Sequence, residues 1–125
     1  MTDVEHWLLA PDLTAPRHAR RVLREWAARR GTAISDPHTV ALVATELVTN
    51  AVLHARGPVG LSISIDNQNI TLRVTDAGNG HLRPSPGDDG APTGRGLTIV
   101  RALAVDWGVH RRPGGKTVWA RVPLG

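Results

Sequence analysis

ELVTNAVLHA, residues 46 to 55, is the stretch on which the reading of the fold turns. Glu46, Asn50 and His54 stand four apart, and a step of four residues advances only about 40° around an α-helix, so all three share one face. Leu47, Val48, Ala51 and Val52 supply the apolar side of that helix. A narrow polar stripe of this kind has two readings. It is a solvated face of an amphipathic helix, or Asn50 offers its amide oxygen to Mg²⁺, a hard cation that takes few protein ligands where phosphates supply the rest. In the second reading Glu46, one turn earlier, accepts a proton from an attacking hydroxyl or water.

Working outward, this helix has a legible start: Ser35 or Asp36 as N-cap and Pro37 in the first turn, where a missing N–H costs nothing. Gly57 and Pro58 end it. Upstream, Ala19, Val22, Leu23, Trp26 and Ala27 recur at helical spacing between about Ala15 and Arg30, and Gly31 stops that helix. Residues 5–10 (EHWLLA) read as a short first strand closed by Pro11. Downstream, LSISI (61–65) and ITLRV (70–74) flank the turn-forming DNQN, which predicts a β-hairpin. A loop rich in proline and glycine covers 81–93, a third helix runs from about Gly96 to Ala104, and DWGVH, the PGG turn at 113–115 and KTVWARV form a second hairpin. The order β, α, α, β, β, loop, α, β, β predicts an α+β two-layer sandwich: a mainly antiparallel, mixed sheet covered on one face by three helices, as one domain over residues 1–125.

Two further segments carry chemistry. Asp76 ends a strand and is followed by Ala77, Gly78, Asn79 and Gly80. Either it is a turn former, or it accepts a hydrogen bond from an adenine amino group while Gly78 and Gly80 let the backbone pass close to the base. Gly94, Arg95, Gly96 and Leu97 open the third helix. A helix start with uncovered N–H groups suits a polyphosphate, although the same residues also make an ordinary helix N-terminus. No GKS or GKT follows at Walker A spacing, and GRGLTIV lacks the glycine pattern of a dinucleotide fold.

Composition excludes other classes. There is no cysteine, hence no disulfide framework and no thiolate metal site. MTDVEHWLLAPDL is acidic and only briefly apolar, so neither a signal peptide nor a membrane span is expected, and a cytoplasmic location is. Arg17, Arg20, Arg21, Arg24, Arg29 and Arg30 crowd the first helix, either as a solvated face or as a surface for an acidic partner. No nucleic-acid-binding motif accompanies them and the tryptophans are not interleaved with them, so direct nucleic-acid binding is not expected. Lys116, the sole lysine, follows the PGG turn and is expected to be a surface charge.

In order, these segments resemble the asparagine box and the two glycine boxes of the GHKL (Bergerat) ATP-binding fold, shared by gyrase, heat-shock chaperones, histidine kinases and mismatch-repair ATPases. The small size and the lack of a phosphoacceptor-histidine domain make the chain most similar to bacterial anti-sigma-factor serine/threonine kinases, stand-alone regulators of actinobacteria. The resemblance implies ATP and Mg²⁺ as ligands, Glu46 as general base, Asn50 as magnesium ligand and His54 facing the phosphates. It further implies Asp76 as the adenine reader, with Gly78 and Gly80 completing its box. Gly94, Arg95, Gly96 and Leu97 are then the phosphate side, residues 81–93 the ATP lid, and Thr117 a hydroxyl supporting the adenine aspartate. Implied partners are a sigma factor and a STAS-domain antagonist, with a possible homodimer and no membrane. A partner-binding module with a structural or vestigial ATP site is the alternative.

Overall fold

The fold is built on a five-stranded sheet, seen in a computed structural model that describes residues 4–54, 57–76 and 96–125. Along the chain run β1 (Val4–Leu9), α1 (Ala15–Arg30), α2 (Pro37–His54), β2 (Val59–Ile65), β3 (Asn69–Asp76), α3 (Gly96–Leu103), β4 (Asp106–Arg112) and β5 (Gly115–Pro123). The strands lie in the order β1-β2-β3-β5-β4 and every pairing is antiparallel. The expected α+β sandwich is therefore present, with three helices and a sheet that is antiparallel throughout.

Local chemistry sets the element ends. Gly31 adopts a left-handed conformation (φ 63°) after α1, and the N–H groups of Gly31 and Thr32 close on the carbonyls of Ala28 and Ala27. Of the two expected caps for α2, Asp36 is the one used: its carboxylate accepts from the Thr39 backbone N–H at 3.1 Å and from the Thr39 hydroxyl at 2.5 Å. The Thr39 bonds hold the Asp36 carboxyl below its ordinary pKa, the hydroxyl contributing most. Asp66 shapes the β2–β3 turn by accepting from the N–H groups of Gln68 and Asn69, both at 2.8 Å.

Strand alternation decides which face is dry. Val59, Leu61 and Ile63 of β2, Ile70, Leu72 and Val74 of β3, and Val118, Ala120 and Val122 of β5 are buried against the helices. Helices contribute Val22, Leu23 and Trp26 from α1, Val40, Val43, Leu47 and Val48 from α2, and Leu97 and Val100 from α3. Trp26 has no solvent exposure and its indole N–H has no partner among the described residues, while the Arg30 guanidinium lies 5.3 Å from the ring centroid. The other sheet face carries a polar ladder: His6 Nδ1 with Ser62 Oγ at 2.8 Å, Arg73 donating to Ser64 at 3.4 Å, and Thr75 with Thr117 at 2.8 Å.

Candidate functional site

Register at the end of β3 fixes the first site residue. Asp76 stands two residues beyond the core residue Val74, so its side chain projects to the helix-covered face, where it is 2 % exposed. Opposite it across the ladder is Lys116, and opposite Thr75 is Thr117. Directly paired residues of an antiparallel ladder share a face, so Lys116 stands beside Asp76 and Thr117 does not.

Two expectations change here. Thr117, expected to support Asp76, instead lies on the outer face, bonded to the Thr75 hydroxyl at 2.8 Å and accepting from Arg112 at 3.0 Å. Its hydroxyl tightens the β3–β5–β4 ladder on the side away from Asp76. Lys116, expected at the surface, is 7 % exposed. The physical reason for both is the same: moving one residue along a strand reverses the face. Asp76 and Lys116 share the lining of a cavity of about 200 Å³ with Thr75, Arg112, Gly114 and Gly115.

Gly115 joins the site without being singled out by any motif. A Cβ at this position would overlap the carbonyl oxygen of Asp76, so only glycine lets β5 start this close to the aspartate. The doubled glycine of the PGG turn was the available signal.

α2 supplies the stripe. Asn50 is 6 % exposed despite its polarity, and among the described residues no group hydrogen-bonds its amide. Glu46, one turn earlier, is half-buried, while His54 in the last turn is exposed. The stripe thus runs from partial burial through burial to solvent, which a plain solvated face does not do. α3 begins at Gly96, as expected, and packs on α2. Leu97 sends its side chain into the core at 2 % exposure, leaving only its backbone N–H to meet a ligand. Gly78, Gly80, Gly94, Arg95 and the expected lid at 81–93 lie outside the described residues.

Arg20 and Arg24 share a face of α1, as their spacing requires. They border a cavity of about 410 Å³ between α1 and the start of α2, together with Leu23, Ile34, His38 and Val40. Arg20 also donates to the Thr45 hydroxyl at 3.0 Å. Among the described residues there is no cluster of three or more His, Asp or Glu side chains able to hold a metal by themselves, and no helix long and apolar enough to cross a membrane.

Comparison with known proteins agrees with this geometry. The chain is similar to a Mycobacterium tuberculosis structure of RsbU and RsbW domains at 24 % identity and a TM-score of 0.72, covering 98 % of this chain and 32 % of that one. It is also similar to the Acinetobacter baumannii histidine kinase AdeS at 16 % identity and a TM-score of 0.57, covering 98 % of this chain and 69 % of that one. This chain thus spans about a third of the length of the mycobacterial structure, and both likenesses concern the fold. Residues 9–122 match the family described as the histidine kinase-like ATPase domain. With nearly the whole chain inside that match and the sheet, helices and buried aspartate arranged as described, the protein belongs to the histidine kinase-like ATPase domain family.

Proposed function

We propose that this chain is an ATP-binding regulator of the anti-sigma-factor type, an Mg²⁺-dependent protein serine/threonine kinase that phosphorylates a STAS-domain antagonist and holds a sigma factor. The observation that carries the reading is Asp76: an acceptor-only carboxylate, almost fully buried at a strand end, on the helix-covered face of the sheet. Such a carboxylate suits a ligand with an exocyclic amine. Asn50, a residue only 6 % exposed whose amide has no hydrogen-bond partner among the described residues, fits the role of magnesium ligand.

When bound, Mg²⁺ neutralises phosphate charge and lowers the barrier to phosphoryl transfer. The chain's own residues divide the remaining tasks. Asp76 orients the base, the N–H groups at the start of α3 favour the phosphates, and Glu46 accepts the proton of the attacking serine or threonine hydroxyl. The partly buried position of Glu46 keeps it near the buried Asn50 turn while leaving it accessible to an incoming hydroxyl. The basic face of α1, with Arg20 and Arg24 at the rim of an apolar cavity, suits an acidic partner.

Transfer of labelled γ-phosphate from ATP to a STAS-domain partner tests the reading. Wild type is expected to label the partner, and Glu46→Ala to bind ATP while slowing transfer by about 10²- to 10⁴-fold. Absence of transfer by a wild type that binds both ATP and the partner would favour the non-catalytic module instead.

A further inference from the structure

The sole lysine of the chain stands opposite Asp76, in the place expected of Thr117. Lys116 pairs with Asp76 across β3 and β5, on the same face, and both residues border one cavity of about 200 Å³ at the end of the sheet. At 7 % exposure its stem is covered, and no hydrogen bond or ion pair engages its ammonium among the described residues. With no protein partner among the described residues, its ammonium has donors to spare.

We propose that Lys116 is a base-specificity residue: its ammonium donates to the ring nitrogen N1 of the adenine whose amino group is accepted by Asp76. This inference rests on the nucleotide reading above. The chemistry is complementary in both positions. A carboxylate only accepts and an ammonium only donates, and the adenine edge presents an amine donor directly beside the N1 acceptor. Directly paired side chains of an antiparallel ladder are about 4.5–5.5 Å apart at Cβ, a spacing that lets a short acceptor and a long flexible donor meet adjacent atoms of one ring. Gly115 opens the way, since the absence of a side chain before Lys116 keeps the backbone against Asp76.

The assignment makes a claim that a structural lysine would not. Affinity should depend on N1 itself, and that dependence should vanish with the ammonium. The test is a calorimetric titration, with Mg²⁺ present, of ATP and 1-deaza-ATP into wild type, Lys116→Met and Lys116→Arg, each checked for folding by its melting curve. 1-Deaza-ATP differs only in replacing N1 by a C–H group. Wild type is expected to bind ATP roughly 10- to 100-fold more tightly than 1-deaza-ATP, the range of a charge-assisted hydrogen bond. Lys116→Met should bind both alike at the weaker level, and Lys116→Arg should keep a preference for ATP. If a folded Lys116→Met retains the wild-type preference, or if wild type does not distinguish the two ligands, the assignment is wrong while the nucleotide site stands. If wild type binds neither ligand, the nucleotide reading itself fails and this assignment goes with it.

Discussion

Replacing Gly115 by alanine probes the contact that brings β5 against the site. An added Cβ would overlap the Asp76 carbonyl oxygen, and would lie 3.1 Å from its carbonyl carbon and 3.3 Å from its carboxylate Oδ1. Gly115 also has φ 150°, a conformation that side chains rarely adopt. The neighbouring atoms are backbone and a buried carboxylate, so the methyl group is seated only by sliding β5 away from β3. Overpacking of this kind costs about 1–3 kcal/mol. For a domain of 125 residues, roughly 4 °C of melting temperature accompanies each kcal/mol, so a fall of about 4–12 °C is expected. The same displacement separates Asp76 from Lys116, so ATP affinity should fall as well. Gly114→Ala is the matched control, because a Cβ there meets nothing within 4 Å, and it should change stability by less than about 0.5 kcal/mol. Thermal denaturation and ATP calorimetry on both variants check this. A Gly115→Ala protein that melts with Gly114→Ala and binds ATP like wild type would refute the argued contact between β5 and Asp76.

Three further outcomes are expected. Asp76→Asn should weaken ATP binding roughly 5- to 150-fold, the range for about 1–3 kcal/mol of a mispaired buried hydrogen bond; equal calorimetric affinities would remove Asp76 from base recognition. Asp36→Ala should melt at a lower temperature than wild type at neutral pH, because the Asp36 carboxylate caps α2. Its pKa is depressed in the folded state, so the stabilisation is present above the ordinary value of 3.8 and is lost as pH falls below that value through the folded one; a difference in melting temperature that persists unchanged into strong acid would contradict this. Reversing charge at Arg20 and Arg24 should slow capture of an acidic partner at low salt and leave ATP affinity intact, and unchanged association kinetics would make the arginine face of α1 merely solvated.

Much of this architecture is written in short-range signals. Pro37 after Asp36 marks the start of α2, Gly31 the end of α1, and DNQN the β2–β3 turn, each through chemistry confined to a few residues. The helix face shared by Glu46 and Asn50 follows from periodicity alone. What could not be read was long-range register. Nothing local says that β5 pairs with β3 so that Lys116, not Thr117, meets Asp76, and an offset of one residue exchanges the two faces. Lys116 looked exposed because it adjoins a turn, and lysine is rarely buried; its burial comes from strands and helices distant in sequence. The cavity under Arg20 and Arg24 was hidden for the same reason, since α1 and the start of α2 build it jointly.

The most direct test of the nucleotide site is a titration of ATP into wild type and Asn50→Ala, each with Mg²⁺ and with a chelator. The account predicts saturable binding by wild type that is much tighter with Mg²⁺, and an Asn50→Ala protein that remains folded but gains little from the metal. Binding by both proteins with the same Mg²⁺ dependence would contradict the role of Asn50, and a folded wild type that takes up no ATP with Mg²⁺ present would contradict the site altogether.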